Sequence, residues 1–319
     1  MQLNHKAFAI AEDLVRRATE IGAVLHTVGG CRVLDCGVET AGSDAAGLGM
    51  AHVAVAGLAE VRLVPPGAAP PAWPGCPWPN VQVVSSSPVA ACLASQYAGW
   101  RIASGRFFAM ASGPIRAAIG REELFDTIGM RERPDRAVGI LETSALPPES
   151  VCQELAAAAG LRPDQLILLV ARTASRAGTL QIVARSLETA LHKLHDAGFD
   201  LTRICSGSGT APLPPVARDD LRAIGCTNDA ILAGGSVTLT VTGDDASLAA
   251  IGPSGVSGSS PAAGRPFLEI FEAAGRDFYA IDPALFAPAR LEFINRDTGG
   301  VHRAGELRPE LVARSFAAG

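Results

Sequence analysis

The sequence predicts a mixed α/β protein of the α+β class, and three observations lead to that prediction. Apolar runs of strand length, such as Gln165–Ala171 and Val138–Glu142, alternate with amphipathic segments of helical length. Two pairs of short segments meet at glycines, around 24–35 and 291–302, as antiparallel hairpins do. Finally, 48% of the 319 residues are hydrophobic and only 18% are charged, which is enough apolar surface to bury a large core.

The length of the chain predicts two lobes. A single hydrophobic core usually stops growing at about 250–300 residues, and longer chains divide. We place an N-terminal α/β lobe at 1–145 and a C-terminal α/β lobe at 146–319, and allow that the lobes are discontinuous. The proline-dense segment 65–79 cannot be a regular helix or a central strand. We expect a structured loop there, which Trp73 and Trp78 anchor on the core.

The order of the elements follows from periodicity and from turn residues. Helices are predicted at 7–21, from 41, at 89–100, from 115, and at 147–160, 178–198 and 267–274. Strands are predicted at 24–28, 31–35, 60–64, 81–84, 107–110, 138–142, 165–171, 236–243, 291–295 and 298–302. The Ser/Gly/Pro-rich segment 206–215 is predicted to be a loop, and the Gly/Ser run 254–264 to be mobile.

The segment 178–198 is predicted to form one helix directly after the buried strand 165–171. Its apolar residues recur at three- and four-residue spacing on one face, namely Val183, Leu187, Ala190, Leu191 and Leu194. Thr179 is the candidate N-cap, and Gly198 has the position of a left-handed C-terminal glycine. In α/β proteins the end of a strand that leads into a helix commonly borders a binding crevice.

A second stripe on the same helix carries Arg185, Glu188, His192 and His195, at steps of three, four and three residues. Its simplest interpretation is a solvated face, because Arg-x-x-Glu is a common surface pair worth a few tenths of a kcal/mol. The other interpretation is a functional site. Spacing alone favours the solvated face.

Composition excludes several classes of partner. The net charge is −5 and no run of lysine and arginine occurs, so we expect neither nucleic-acid nor anionic-membrane binding. No apolar run approaches 18 residues, and the first residues do not read as a signal peptide, which predicts a cytoplasmic protein. The seven cysteines include no Cys-x-x-Cys, so most of them are expected to be small buried residues.

Several common catalytic motifs are absent from the sequence. It contains no Gly-x-Gly-x-x-Gly after a strand, no Gly-x₄-Gly-Lys-[Ser/Thr] and no Gly-x-Ser-x-Gly. His192 and His195 form His-x-x-His, whereas zinc enzymes of the His-Glu type place the pair at i, i+4. A metal-dependent hydrolase built on these two histidines is therefore an alternative, and solvated or packed histidines are the simpler interpretation.

Seven sequence blocks carry a resemblance that runs almost end to end: Ala91–Trp100, Phe107–Arg116, Gln181–Lys193, Gly209–Leu213, Thr227–Ile231, Gly264–Phe267 and Phe278–Pro283. With these blocks, in this order, the chain resembles the methenyltetrahydromethanopterin cyclohydrolase family. The segments Ser-Gln-Tyr-Ala-Gly-Trp and Ser-Gly-Pro-x-Arg within them are the most specific.

The resemblance implies a cytoplasmic enzyme of one-carbon metabolism, in methanogenesis or in bacterial formaldehyde oxidation. Its substrate is a tetrahydromethanopterin-type carrier, whose methenyl bridge it hydrolyses to an N-formyl group. The resemblance also implies a pterin cleft between two lobes, a homo-oligomer (trimer or dimer), no prosthetic cofactor and no metal. By motif, the catalytic pair of the family falls on Arg185 and Glu188. The implied substrate-binding residues are Gln96, Tyr97, Ser112, Gly113, Pro114, Arg116, Gly178, Gln181, Asn228 and Asp229.

The implied chemistry suits the two catalytic residues. The substrate is an amidinium-like cation, so its bridging carbon is electrophilic without a metal or a covalent nucleophile. The reaction needs a base that takes a proton from water and an acid that returns one to the departing nitrogen. Glu188 can do both in sequence, and its negative charge attracts the cation. Arg185 can orient the carboxylate through two N–H groups and keep it ionised.

Four positions depart from the pattern of the family: Ser87, Ala111, Leu180 and Ala233. Neither Arg185 nor Glu188 is among them. We expect Ala233, which stands where a tyrosine is usual, to enlarge or loosen part of the pocket. The departures at Ala111, Leu180 and Ala233 motivate a second alternative, a non-catalytic paralogue that keeps the pterin site.

Overall fold

The structure, a computed structural model, describes residues 2–68 and 73–319, so part of the predicted loop at 65–79 lies outside the described residues. Twelve strands occur in the described chain: β1 (Val24–Val28), β2 (Cys31–Gly37), β3 (Glu60–Val64), β4 (Asn80–Ser85), β5 (Trp100–Ser104), β6 (Phe107–Ser112), β7 (Ala137–Glu142), β8 (Leu166–Ala171), β9 (Ile204–Pro212), β10 (Ser236–Val241), β11 (Arg290–Asn295) and β12 (Val301–Gly305).

The same residues form eleven α-helices: α1 (Leu3–Arg16), α2 (Asp44–Ala54), α3 (Ile115–Ile119), α4 (Leu124–Thr127), α5 (Glu149–Ala158), α6 (Arg176–Val183), α7 (Ser186–Asp196), α8 (Asp220–Leu232), α9 (Asp245–Ile251), α10 (Phe267–Ala273) and α11 (Pro309–Ala317). A π-helix spans Val89–Gln96, and short 3₁₀ turns connect other elements. The mixed α+β class is thus confirmed. No helix in the described chain has the length and apolarity that crossing a membrane requires.

The chain divides into two compact units, and neither is continuous in sequence. The first comprises the chain up to Ala59 together with Val89–Gln181, and the second comprises Glu60–Pro88 and Ile182–Gly319. Residues 146–181, which we assigned to the C-terminal lobe, therefore belong to the first unit. The reason is strand pairing, since β8 lies between β2 and β7 and runs parallel to both.

The first unit is built on a six-stranded sheet of order β1-β2-β8-β7-β6-β5. Strand β8 at its centre is buried along its whole length, as expected for a parallel strand covered on both faces. Its side chains alternate between two apolar clusters. Ile167 and Leu169 pack with residues of α1 and α2, whereas Leu166 and Leu168 pack with residues of α5.

The second unit is built on a six-stranded sheet of order β12-β11-β10-β9-β4-β3, in which β10 and β11 are the parallel pair. Helices α7 and α8 both contact β9. The Trp78 ring lies edge-on against Phe316 of α11, with 4.9 Å between ring centroids, and Trp73 lies 6.2 Å from Trp78. The expected anchoring of the proline-dense loop by its indoles is confirmed for this contact.

Three local predictions are wrong. The segment 206–215 is largely strand β9, and its glycines serve helix packing instead of flexibility, as shown below. The segment 254–264 is not an open run, because Ser257 and Ser260 are buried and Ser260 Oγ donates a hydrogen bond to Asp282 Oδ2 at 2.6 Å. The predicted helix at 89–100 ends at Gln96, since a turn with Gly99 at φ +84° leads directly into β5.

The cysteines match the expectation from composition. All seven are free thiols, six of them buried and Cys205 partly exposed. Burial raises the pKa of the Cys36 thiol well above its usual range. These side chains act as small apolar residues of the core.

Candidate active site

The predicted helix at 178–198 is two helices, α6 and α7, separated at Ala184 and Arg185. The division into units falls just before this break, between Gln181 and Ile182 in the last turn of α6. Most of α6 therefore packs in the first unit, whereas α7 packs on β9 and β10 of the second. The helix is thus interrupted within three residues of the point where the chain passes from the first unit to the second.

Of the two predicted helix caps, the N-terminal one is wrong and the C-terminal one is confirmed. Thr179 lies inside α6, and its hydroxyl donates to the Thr173 carbonyl oxygen. The capping hydroxyl belongs to Ser175, which accepts a hydrogen bond from the Gly178 backbone nitrogen at 3.0 Å. At the other end, Gly198 follows α7 with φ +78°, so the predicted C-terminal glycine is confirmed.

Arg185 and Glu188 lie at the start of α7. Arg185 is its N-cap residue, and its carbonyl oxygen accepts from the backbone nitrogen of Thr189 at 2.8 Å and from the Thr189 hydroxyl at 2.9 Å. Glu188 is in the first turn. The N-terminal turn of a helix carries partial positive charge, so this position favours a carboxylate over a neutral group.

Burial separates the two interpretations of the charged stripe. Glu188 is 2% exposed and Arg185 is 9% exposed, whereas a solvated pair would be largely open to water. Charged side chains are almost never this buried without a specific partner or a role. The interpretation of Arg185 and Glu188 as an ordinary surface pair is therefore wrong. His192 and His195, further along α7, are partly exposed.

Two glycines of β9 let the first turn of α7 lie directly on the sheet. A β-carbon on Gly209 would come within 2.5 Å of Ser186 Oγ and 2.7 Å of the Leu187 backbone nitrogen. A β-carbon on Gly207 would come within 2.9 Å of a Leu187 methyl group. The Ser-Gly-Ser-Gly sequence that suggests a loop is thus what brings this turn of α7 onto the strand.

His192 follows Glu188 by one helical turn. Its Nδ1 lies 3.7 Å from Glu188 Oε1, and its Nε2 lies 3.8 Å from Asp196 Oδ2. These three side chains occupy positions i, i+4 and i+8 of α7 and so follow one side of the helix. His195 is not part of this line of contacts.

Neither His192 nor His195 belongs to the group of potential metal ligands found among the described residues. Among the described residues, the one group of three such side chains within ligand distance of each other is His26, Asp35 and Glu39. Both Asp35 oxygens are already occupied, because they accept four hydrogen bonds from the backbone nitrogens of residues 37–40. Asp35 therefore anchors a loop.

Arg116 and Tyr97 are brought together in the first unit. The Arg116 guanidinium lies 4.3 Å from the centroid of the Tyr97 ring, and its Nη1 donates to the Tyr97 carbonyl oxygen at 2.8 Å. The same side chain is ion-paired with Glu122 and donates to the Ala98 carbonyl oxygen. Arg116 thus fixes the backbone that follows Gln96, which is itself fully buried at the end of the π-helix.

The Ser112-Gly113-Pro114 segment makes a tight turn after β6. Gly113 has φ +93°, a conformation that favours glycine, and Ser112 is 2% exposed. The Pro114 carbonyl oxygen accepts from Asn4 Nδ2 at 2.8 Å, which ties the turn to α1. These three residues therefore hold a fixed backbone conformation.

Gly178 and Gln181 are both on α6. A β-carbon on Gly178 would lie 2.0 Å from the Arg172 carbonyl oxygen, so only glycine fits there. Gln181 is 1% exposed, and its Oε1 has no hydrogen-bond partner among the described residues. A buried amide oxygen without a donor costs free energy, which makes it a candidate for contact with a bound ligand.

Asn228 and Asp229 lie on α8 and have structural partners. Asn228 Nδ2 donates to the Ile224 carbonyl oxygen at 2.9 Å. The Asp229 carboxylate is buried and accepts from the Phe267 backbone nitrogen at 3.0 Å, at the start of α10. Burial raises the pKa of Asp229 to about 7. Asp229 thus connects α8 to α10.

Sequence reasoning missed two buried polar atoms of the second unit. Ser186 Oγ, between the two candidate catalytic residues, and Gln82 Oε1 on β4 have no hydrogen-bond partner among the described residues. Both residues are less than a tenth exposed. No spacing pattern singles them out, because their interest comes from burial.

The departures from the family pattern are accommodated within each unit. Ala111 and Leu180 are buried in the first unit, with Leu180 against Gly47. Ser87 is exposed after β4. Ala233 lines a small cavity of about 10 Å³ together with Asp229 and Phe267, which is room for about one water molecule. That Ala233 enlarges or loosens part of the substrate pocket stays a prediction.

Comparison with known proteins identifies the family of the chain. The family model described as cyclohydrolase (MCH) matches residues 2–316. The chain belongs to this family. A relative from Methylobacterium sp. (strain 4-46), named methenyltetrahydromethanopterin cyclohydrolase, is 48% identical over 241 residues, which cover 74% of each chain. The protein of that name from Methanosphaerula palustris (strain ATCC BAA-1556 / DSM 19958 / E1-9c) is 38% identical over 320 residues, covering 99% of each chain.

A further cyclohydrolase of that name, from Xanthobacter autotrophicus, is 47% identical over 234 residues, or 73% of this chain and 69% of that protein. The family model and the Methanosphaerula relative span both units of the structure. Family membership therefore covers the whole described fold and includes the start of α7.

Proposed function

We propose that this protein hydrolyses the methenyl bridge of methenyltetrahydromethanopterin to the N-formyl group. The observation that carries the proposal is a carboxylate, Glu188, buried in the first turn of α7 directly after Arg185, in a chain of the cyclohydrolase family. The methenyl carbon lies between two nitrogens that share a positive charge. Such a carbon accepts water without further activation, so the protein must mainly move protons and stabilise charge.

Glu188 acts first as the general base. It takes a proton from a water molecule while the water oxygen bonds to the methenyl carbon, and an electron pair moves onto a ring nitrogen. The neutral adduct then collapses: the bond between carbon and the departing nitrogen breaks, that nitrogen receives a proton from Glu188, and the carbonyl group forms. Glu188, which is then a carboxylate again, takes the hydroxyl proton of the adduct as the carbonyl forms, so each turnover leaves one proton to be released.

Arg185 positions the carboxylate in this proposal. A guanidinium presents two parallel N–H groups that match the two oxygens of a carboxylate, and it stays charged throughout the reaction. The polarity of the first helical turn acts in the same direction, because it stabilises negative charge on Glu188. The cationic substrate gains further attraction from that charge as long as the site excludes bulk water.

The remaining site residues bind the carrier in this proposal: Gln96, Tyr97, Ser112, Gly113, Pro114, Arg116, Gly178, Gln181, Asn228 and Asp229. We also propose that the carrier occupies a cleft between two lobes. The binding roles, and not the cleft, are supported by the burial of Gln96, Ser112 and Gln181 and by the unsatisfied oxygen of Gln181. Asp229 and Asn228 would contribute through the backbone they hold, given their present hydrogen bonds.

The cellular setting belongs to the same proposal. We place the enzyme in the cytoplasm, as a homo-oligomer (dimer or trimer), in formaldehyde oxidation or methanogenesis. It needs neither a prosthetic cofactor nor a metal, because the charge of the substrate supplies the electrophile.

The deciding experiment is an absorbance assay with purified protein and methenyltetrahydromethanopterin. Hydrolysis removes the conjugated methenyl chromophore, and mass spectrometry of the product identifies the N-formyl compound. Enzyme-dependent loss of the chromophore above the spontaneous rate is the expected result. Tight binding of the carrier without turnover would instead support a pterin-binding paralogue and overturn the proposal.

A further inference from the structure

The reaction proposed for this site creates a proton that must leave a buried carboxylate. Water adds to a cation and a neutral formyl compound results, so one proton remains for every turnover. In this mechanism Glu188 returns the proton of the water molecule to the departing nitrogen and then takes the hydroxyl proton of the adduct, yet its side chain is only 3% exposed. Release of the product alone does not discharge that proton, so a path from Glu188 to solvent is required.

Helix α7 carries a graded line of titratable groups that begins at Glu188. His192 and Asp196 follow at successive turns, and the exposure of the side chain rises from 3% to 34% and then 49%. The two gaps along the line, from Glu188 Oε1 to His192 Nδ1 and from His192 Nε2 to Asp196 Oδ2, are 3.7 Å and 3.8 Å. The imidazole therefore faces the buried carboxylate with one nitrogen and the solvated one with the other.

We infer that Glu188, His192 and Asp196 form a proton relay that connects the active site to solvent. This inference rests on the proposed function, because it assigns a route to the proton which that reaction produces. Imidazole is suited to the middle position, since it accepts a proton at one nitrogen and gives one up at the other, near neutral pH. His192 is a positioning residue in this scheme, as it acts through Glu188 and does not touch the reacting atoms.

The transfer steps balance without any added reactant. Protonated Glu188 gives its proton to His192 Nδ1, and the proton on Nε2 passes to Asp196 or to water. The imidazole then returns to its first tautomer by exchange with solvent. Both gaps are longer than a direct hydrogen bond, so transfer requires a small side-chain rotation at each of them.

The arrangement also explains why the two histidines of α7 differ in interest. His192 lies between two carboxylates, those of Glu188 and Asp196. His195 takes no part in either of these two contacts. His195 is partly exposed on the same helix, as His192 is. It therefore offers a matched control for substitution.

The experiment compares His192→Ala with His195→Ala in the methenyl-hydrolysis assay, at low buffer concentration and then with added imidazole. We expect His192→Ala to keep roughly a tenth of wild-type kcat at an unchanged KM, a smaller loss than the ~10²–10⁴ of a direct acid–base group. Added imidazole should restore most of that loss, because it fills the space and carries the proton. His195→Ala should behave as wild type and show no response to imidazole.

Three outcomes count against the relay. Wild-type kcat in His192→Ala at low buffer overturns it, and so does a loss that neither imidazole nor another small buffer restores. In the second case His192→Gln, which preserves packing, must also be unrescued while circular dichroism shows a folded protein. An inactive wild type would refute the proposed function and with it the relay, whereas an active wild type with unrescued variants refutes the relay alone.

Discussion

Ser186 of α7 lies against Gly209 of β9 so closely that a β-carbon at 209 would come within 2.5 Å of the serine Oγ. The same β-carbon would approach the Leu187 backbone nitrogen to 2.7 Å. Backbone cannot rotate away as a side chain can, so this contact fixes where the first turn of α7 lies on the sheet. Glu188 is in that turn, and its position depends on a residue without a side chain.

Gly209→Ala should therefore shift the start of α7 and lower both stability and kcat. We expect a loss of roughly 1–3 kcal/mol in the free energy of unfolding, as for overpacked cores. Gly207→Ala is the matched control, because its β-carbon would meet the methyl tips of Leu239 and Leu187, which can move. Denaturant unfolding and the hydrolysis assay measure both effects. Equal, small losses in the two variants would show that Gly209 does not position the helix.

Glu188→Gln should fold normally and lose nearly all activity. Glutamine has the same size and can still form hydrogen bonds, but it cannot accept the proton from water. The loss of a general acid–base group typically costs ~10²–10⁴ in rate. Glu154→Gln, on the exposed face of α5, controls for loss of charge elsewhere. Turnover above a tenth of the wild-type value in Glu188→Gln would remove this residue from the mechanism.

Arg185→Lys should lose much of kcat although it keeps the positive charge. Lysine cannot present two parallel N–H groups to the Glu188 carboxylate, so the base would lose its orientation. Arg162→Lys, at a side chain that is 70% exposed, is the control for a general effect of the exchange. Steady-state kinetics separate kcat from KM. A lysine variant with near-normal kcat would limit the role of Arg185 to supplying charge.

Chelators should leave the activity unchanged. The substrate already carries the positive charge that a Lewis acid would otherwise provide, so the proposed steps use only Glu188, Arg185 and water. The measurement is kcat before and after prolonged dialysis against EDTA, with magnesium-treated protein as the control. Activity that is lost with EDTA and restored by zinc would revive a metal site, with His192 and His195 as its first candidates.

Asp229→Asn should change how stability depends on pH. The pKa of Asp229 is raised from 3.8 to about 7. At pH values between these two, the folded state therefore binds more protons than the unfolded state. Wild-type stability is therefore lost as pH rises from about 4 to 7, by an amount on the order of 4 kcal/mol at most. Asparagine keeps an acceptor for the Phe267 N–H but does not titrate.

Relative to wild type, the Asp229→Asn variant should become more stable across that range and level off above pH 8. Unfolding in urea at several pH values gives the comparison. Asp219→Asn is the control, because the Arg222 backbone N–H holds the pKa of partly exposed Asp219 below its usual range. The difference in free energy of unfolding between Asp219→Asn and wild type should stay constant from pH 5 to pH 8. A constant difference between Asp229→Asn and wild type would mean that Asp229 stays ionised throughout.

The sequence predicts well where local periodicity and burial coincide. Strand β8 follows directly from the apolar run 165–171, because a strand covered on both faces is apolar throughout. The break in the central helix is not predictable in this way. Val183 and Leu187 stand four residues apart on either side of it, so the apolar spacing continues across the break.

Strand β9 illustrates the opposite error. Its Ser-Gly-Ser-Gly sequence has the composition of a flexible loop, and nothing local indicates a strand. The need for glycine comes from α7, which packs on Gly207 and Gly209. Likewise, Arg185 and Glu188 are found by motif, but their burial depends on elements far away in sequence. Secondary-structure propensity is a property of one segment, whereas the glycines of β9 and the burial of Arg185 and Glu188 depend on packing between segments.

The interleaving of the two units has a consequence for the order in which a newly made chain can fold. The first sheet lacks its central strand until residues 166–171 are synthesised, because β2 pairs with β8, with Arg32 opposite Ile167. In the second sheet β4 cannot form its pairing with β9, in which Gln82 lies opposite Thr210, until β9 has been made. The helix with Glu188 is made between these two closing strands. A nascent chain therefore exposes the unpaired edges of β2 and β4 until residues 166–171 and 204–212 have been made, and exposed strand edges are prone to pair with other chains.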